Sequence, residues 1–273
     1  MPTVEQNRQE WGAKYDWTRR GEEWSATWGG SEAQWYGAIF PRIHAFLPAG
    51  TILEIAPGYG RWTNYLKEYC EHLIVVDLAE SCVKACRQRF ASDTHITYHV
   101  NDGKSLAMIP DESLDFVFSF DSLVHAEADV LENYLSQLTK KLKPNGIGFI
   151  HHSNLGEYQQ AFSSIEQVPG ELREMVIKRK FLTPNHWRGV SMRAGLFEDY
   201  CDKAGLRCIT QELVNWDAGG ILLDCFSLFT SENSKWSRQN KVIENPEFMA
   251  EAQLIRRLSE VYTVKSFQSN REI

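Results

Sequence analysis

The stretch Ile52-Leu-Glu-Ile-Ala-Pro-Gly-Tyr-Gly-Arg-Trp62 runs a short apolar segment into a turn with two glycines and then into a helical pattern. A corner of this kind, ending a strand and opening a helix, is where a doubly wound sheet binds nucleotides. Glu54 lies within that strand, and Asp77 closes the next apolar run. A carboxylate at the second strand tip can accept from both hydroxyls of a ribose. Asp102, in Asn-Asp-Gly103, follows the third strand, where it can accept from an adenine amino group. Counting from Gly58, glycine recurs at Gly60, but Thr63 stands at the third position of a GxGxxG fingerprint, which disfavours a pyrophosphate-bearing cofactor. Three acidic strand ends around a glycine turn suit a cationic, phosphate-free adenosine.

Such strand ends need a sheet to hold them. Thr51–Ala56, Leu73–Asp77, His95–Val100, Leu114–Phe120 and Gly146–His151 carry the strand signature, and they alternate with helical stretches at Arg61–Cys70, Glu80–Phe90 and Val130–Leu142. That alternation predicts a parallel sheet with right-handed crossovers. After a helix at Ala194–Ala204, the strands Arg207–Val214 and Ile221–Thr230 are separated only by Asn215–Gly220, too few residues for a crossover, so they pair as an antiparallel hairpin. The expected fold is α/β: a Rossmann-like, doubly wound, mostly parallel seven-stranded sheet that ends in an antiparallel hairpin.

Three further segments frame it. Residues 1–49 hold Trp11, Trp17, Trp24, Trp28 and Trp35 and read as an aromatic-rich helical cap or lid; residues 50–230 carry the binding domain. Residues 157–193 form an insertion whose Pro169-Gly170 and Thr183-Pro184 breaks leave room for a short helix around Glu171–Lys180. Residues 231–273 read as a polar tail and a closing helix, with Phe248, Leu254, Ile255, Leu258, Val261 and Tyr262 on one face.

Composition narrows the classes of function. The chain has 273 residues, 43% hydrophobic and 24% charged, the balance of a globular protein with a sizeable core. Its net charge of -7 is the wrong sign for tracking phosphates, so nucleic acid is not an expected partner. No apolar run reaches the roughly 18 residues that cross a bilayer, and the N-terminus lacks a signal-peptide core, which places the protein in the cytoplasm without a membrane partner. The six cysteines, Cys70, Cys82, Cys86, Cys201, Cys208 and Cys225, are scattered without a paired CxxC knuckle, so they read as buried free thiols and no metal is expected.

The order Glu54-x-x-x-Gly58-x-Gly60, Asp77, Asp102, Asp115-Phe-Val-Phe-Ser119, Leu142-Lys-Pro-Asn-Gly146 and the terminal hairpin resembles the motif series of the class I S-adenosylmethionine-dependent methyltransferases, over roughly residues 50–230. One departure is Ala56, where the family usually has glycine. The resemblance implies S-adenosylmethionine as cofactor and S-adenosylhomocysteine as product. It implies that Glu54 supports the methionine amino end through the turn, that Gly58 and Gly60 admit the cofactor closely, that Asp77 holds the ribose, and that Asp102 with the Gly103 backbone meets the adenine. Ala56, Trp62, Leu78, Phe120 and Trp28 complete the expected cofactor-binding set.

Methyl transfer requires alignment and, for some acceptors, removal of a proton. Candidates lie past the fourth and fifth strands, in Phe120-Asp-Ser-Leu-Val-His125 and Ile150-His-His-Ser-Asn154. His125 or His151 is the expected base, since imidazole titrates near neutrality, and Asp121 is placed to orient a hydroxyl or pair with a protonated amine. Strand alternation sends His151 and His152 to opposite faces, so only one of them meets a ligand. Trp24 and Tyr36 offer aromatic walls for a sugar or an ammonium, His152 is the second histidine of the substrate set, and Arg188 can grip an anionic group.

The acceptor implied is a small polar metabolite, with oxygen preferred to nitrogen because an alcohol usually needs a base. N-methylation of a cationic amine or guanidino intermediate is the alternative, favoured by the acidic surroundings of Asp121, Glu127 and Asp129. From other classes, a nicotinamide-dependent oxidoreductase or a noncatalytic adenosine-binding module remains. The oligomeric state is open.

Overall fold

The computed structural model describes residues 3–160, 187–216 and 221–262. Among the described residues eight strands form one sheet in the order β3-β2-β1-β4-β5-β7-β6-β8. The strands are β1 (Ala49–Ile55), β2 (Cys70–Asp77), β3 (Ile96–Val100), β4 (Leu114–Ser119), β5 (Leu142–Ser153), β6 (Leu206–Val214), β7 (Asp224–Ser231) and β8 (Lys241–Asn245). The pairings of β3, β2, β1, β4 and β5 are parallel, whereas β7 is antiparallel to both β5 and β6. The order reverses at β1, with β2 on one side and β4 on the other, and this opens a crevice at the carboxyl ends of the three strands.

Sequence periodicity predicts seven strands, and the eighth is a correction. β8 pairs parallel to β6 at the sheet edge and exposes Val242 and Ile243, so it lacks the half-buried alternation that marks a strand in sequence. The stretch expected to be one helix from Arg61 to Cys70 is also shorter, with an α-helical turn at Thr63–Leu66, a 3-10 turn at Lys67–Tyr69, and Cys70 already in β2. The helix expected around residues 171–180 lies outside the described residues.

Alternating side chains along the strands supply two cores. On one face Ile52, Val75, Phe116, Phe118 and Phe149 pack with Trp28, Trp35 and Ile39 of the N-terminal segment. Helix α1 (Val4–Gln9) begins that segment, and α2 (Glu80–Arg89) contributes Cys86 to the same core. On the other face Leu53, Val76, Val117 and Ile150 pack against α3 (Ala128–Lys141) and α4 (Ala194–Ala204), through Leu131, Leu135, Leu138 and Phe197. The six cysteines are free thiols, five of them buried.

The closing helix, α5 (Phe248–Tyr262), buries Phe248, Met249 and Ala252 against the first core, with Trp216 and Trp28 beside Phe248. The face expected from sequence is therefore corrected. Leu254, Leu258, Val261 and Tyr262 are exposed, because the helix docks through its first turns and through Ile255, which closes on Gly37.

Two buried contacts fix the first turn and the sheet behind it. Glu54 falls on the same face of β1 as Ile52, is 1% exposed, and accepts from the Thr63 hydroxyl at 2.5 Å, tying β1 to the turn that follows. Burial pushes its carboxyl up to about 8 against the opposing effect of that hydrogen bond. Across the sheet, Gly148 lets the Phe229 ring lie directly over the β5 backbone, and a Cβ there would stand 2.1 Å from the ring.

Substituting Gly148→Ala forces that ring or the strand to move and lowers stability by about 1–3 kcal/mol in urea denaturation, with an unchanged m-value. The Glu54 shift gives a pH dependence of known sign. A carboxyl raised in the folded state contributes stability that is complete below its unfolded value of 4.5 and is lost as pH rises through about 8. His125 and His152, both lowered to about 4 mainly by burial, act in the opposite sense and have nothing left to add above their ordinary 6.5. Between pH 6.5 and 8 unfolding free energy therefore falls with pH, on the order of 1 kcal/mol, and Glu54→Gln flattens that slope.

Candidate active site

The crevice is a cavity of about 360 Å³, within the range of small-molecule sites. Its floor is the run from Ile55 to Gly58 after β1, Val76 to Leu78 at the tip of β2, Gly103 after β3, and Phe120 to Ala126 after β4. Trp11, Trp17 and Trp24 of the N-terminal segment close it from above, with Trp62 and Trp216 on its walls.

Asp77 ties two of these elements together. Its Oδ1 accepts from the Ala79 N–H at 2.8 Å and its Oδ2 from the Gly58 N–H at 3.2 Å. Burial raises the carboxyl to about 6, opposed by these backbone bonds. The chain reaches Gly58 through Ala56, which adopts φ 58, a left-handed conformation that favours glycine. A 2.7 Å bond from the Ala56 N–H to the Val76 carbonyl and one from the Ser122 hydroxyl to the Ala56 carbonyl hold it there.

Gly58, at φ 59, faces the N-terminal segment: a Cβ would stand 2.6 Å from the Trp17 ring, which itself stacks on Tyr59 with centroids 4.6 Å apart. Gly60 does not face the cavity. Its open side is filled by Phe90 and Cys86, so this glycine serves the packing of α2 instead of admitting a cofactor. Glu54 lies beneath the turn on Thr63 and outside the cavity wall, and Thr63, at the place of the missing third glycine, is wholly buried.

Leu78 after β2 and Gly103 after β3 line the cavity, but the Asp102 side chain does not. Its Oδ1 accepts from the N–H groups of Lys104 and Ser105, which lowers its carboxyl and commits it to the loop. Trp28 is corrected from cofactor contact to core: it is 1% exposed and packs on Trp216 and Phe248. Tyr36 is likewise no wall of the site, being 52% exposed on the outer surface beside Phe40 and Tyr65. Trp24, Trp62 and Phe120 line the cavity.

The two β5 histidines do point to opposite faces. His152 sits in the second core, stacked on Phe197 at 4.5 Å and bonded to Ser227, out of reach of any acceptor. His151 lies on the cavity side but behind its wall, with both ring nitrogens engaged, Nδ1 by the Asp121 N–H at 3.1 Å and Nε2 by Asp224 at 3.1 Å. A base needs a free lone pair on the cavity, so His151 is corrected to a buried link. His125 lines the cavity. Its Nδ1 bonds the Trp187 carbonyl, its ring lies 4.9 Å from Trp11, and burial, with the charge of Arg188, lowers it to about 4.

Three residues of the site escape sequence reasoning. Arg61 lies between the rings of Trp24 and Trp62, 5.2 and 4.4 Å from their centroids, and binds Asp121 at 2.7 Å. Asp224, fully buried, accepts from Arg188 Nε at 3.0 Å and from its terminal nitrogen at 2.9 Å. Trp11, counted only in the aromatic cluster, lies against His125. Arg61 hides behind the glycine turn, and Asp224 begins a strand whose apolar pattern gives no sign of a charge. Arg188 lines the cavity as well, but its guanidinium is already spent on Asp224.

These residues fit an adenosine-bearing sulfonium. Asp77 and the Gly58 backbone meet at one point of the cavity, the Trp62 indole N–H is buried on its wall without a partner among the described residues, and aromatic faces surround the space where a positive charge would lie.

Known proteins are similar to parts of this chain. Residues 52–146 match the sequence family described as "Methyltransferase domain". Phosphoethanolamine N-methyltransferase 1 of Triticum aestivum is 34% identical over 119 residues, 41% of this chain and 24% of that protein. Phosphoethanolamine N-methyltransferase 3 of Arabidopsis thaliana is 30% identical over 117 residues, again 41% of this chain and 24% of its own length. The chain thus spans about a quarter of the length of these relatives. A crystal structure of the PH0226 protein from Pyrococcus horikoshii superposes with a TM-score of 0.53 at 19% identity, covering 73% of this chain and 90% of the other, and shares the fold. Residues 52–146 are thus similar to methyltransferase domains, and the sheet around them shares the fold of the solved structure.

Proposed function

We propose that the chain methylates the amine nitrogen of a small polar metabolite. The observation that carries this reading is the state of His125. With Nδ1 committed to the Trp187 carbonyl and the imidazole lowered to about 4, the cavity wall offers a neutral acceptor at Nε2 and no strong base. The preference for an alcohol acceptor rested on two histidine bases, and His151 has left the cavity while His125 is weak. An alkylamine is a cation near neutral pH; it gives its proton to solvent before its lone pair attacks, so no strong base on the chain is needed.

Bound S-adenosylmethionine supplies a methyl group on a positively charged sulfur. The chain's own residues bind, orient and shield. Asp77 accepts from ribose hydroxyls, the Gly58 and Gly103 backbones line the cavity, and Trp17 and Trp24 exclude water. The aromatic face of Trp11 lies beside the acceptor space, Asp121 and Trp24 stay paired with Arg61 on the wall, and His125 Nε2 orients the amine by accepting from one of its N–H groups. The names of the plant relatives, which act on phosphoethanolamine, make that compound the first acceptor to test.

Incubation with S-adenosylmethionine and phosphoethanolamine, ethanolamine and a panel of sugars and alcohols, read by mass spectrometry, yields N-methylated product. Methylation at oxygen alone contradicts the proposal, and cofactor affinity without turnover on any acceptor marks a binding module. His125→Ala lowers kcat/KM by about tenfold, the loss of one orienting hydrogen bond, with S-adenosylhomocysteine affinity retained. A loss of about a thousandfold identifies His125 as the base and restores the alcohol reading.

A further inference from the structure

Four elements meet behind the cavity wall in a buried chain of polar contacts. The Asp121 N–H donates to His151 Nδ1 at 3.1 Å. A main-chain N–H has nothing to accept with, so Nδ1 bears the lone pair and the ring proton sits on Nε2. Nε2 lies 3.1 Å from Asp224 Oδ2, and Arg188 grips both Asp224 oxygens with its planar fork. Phe120, Trp216 and Phe226 pack on the His151 ring with centroids 4.7–4.8 Å away, which leaves the hydrogen bonds to decide its tautomer.

The far end of this chain is Asp121 itself, at φ 61. A β-carbon-bearing residue holds that conformation only where its surroundings over-determine it. Its side chain, bound to Arg61, faces the cavity, and its backbone is pinned from behind by His151.

We infer that Asp224 is a positioning residue: it holds the Nε2 proton of His151, so that Nδ1 accepts the Asp121 N–H and keeps Asp121 in its left-handed conformation on the cavity wall. Arg188 extends the same control to the segment that follows it. Trp187 on one side bonds His125, and the Gly189 N–H donates to the Val124 carbonyl at 2.8 Å. A Cβ at Gly189 would stand 2.1 Å from the Ala126 carbonyl, so this segment seats in one way only. A carboxylate that merely filled the core would stabilise the fold without selecting a tautomer.

The network can be read without methyl transfer; only a kinetic arm rests on the amine-methylating reading. Nitrogen NMR of His151 in the wild-type protein shows the neutral ring protonated at Nε2. A ring protonated at Nδ1, or at both nitrogens, overturns the inference with no variant required. In Asp224→Asn, which keeps the shape but can turn an N–H toward Nε2, the tautomer preference is lost and the Asp121 amide exchanges hydrogen about tenfold faster than its neighbours' change accounts for. Turnover of phosphoethanolamine falls by a similar factor while S-adenosylhomocysteine affinity stays within about twofold. Unchanged tautomer and exchange in Asp224→Asn refute the inference. Should that variant not fold, Arg188→Lys, which keeps the charge and loses the fork, gives a smaller rise in Asp121 exchange, and no rise refutes it. Altered spectra in a protein that methylates no amine support the network and contradict the functional reading instead.

Discussion

The carboxylate of Asp77 is the contact on which the site depends. It ends β2, caps its own following turn through the Ala79 N–H, and reaches across to the Gly58 N–H. A buried carboxylate is expensive unless backbone donors satisfy it, and here the donors come from the two loops that flank the reversal of strand order. That one group thereby fixes how far apart the first two strand ends lie. A carboxylate at this strand tip is also what the hydroxyls of a ribose require.

Around this anchor the molecule accepts local strain. Ala56 and Asp121 both adopt left-handed backbone conformations, at φ 58 and 61, one after β1 and the other after β4. Each is restrained by a hydrogen bond from a neighbouring strand or loop, through Val76 and Ser122 in one case and His151 in the other. Conformations of this cost gather where a chain must turn sharply to line a ligand cavity. The N-terminal tryptophans complete the enclosure: Trp17 over Gly58, Trp11 beside His125, and Trp24 over Arg61, which leaves one aromatic face already occupied by a cation of the protein.

The parallel strands were legible in sequence because their apolar runs are continuous and bounded by turn residues, and the hairpin because six residues cannot cross a sheet. β8 was not, since an exposed edge strand has no periodicity to read. Of the site, the residues on the strand tips could be placed by spacing, among them Asp77, Gly58 and Gly103, because spacing along one strand fixes height in the sheet. Which way a side chain turns after the strand ends was not legible. Asp102 turns into its own loop, Gly60 faces Phe90, His151 is held behind the wall, and Trp28 sinks into the core. The partners Arg61 with Asp121, and Arg188 with Asp224, join residues 60 and 36 positions apart, a separation that no local pattern records.

The most direct measurement is a crystal structure of the protein with S-adenosylhomocysteine. The expected result is electron density in the cavity beneath Trp17, with the ribose hydroxyls on Asp77 and the nucleoside passing Gly58 toward Gly103. A thioether bound elsewhere on the molecule, or a cavity left empty at saturating concentration, would contradict it.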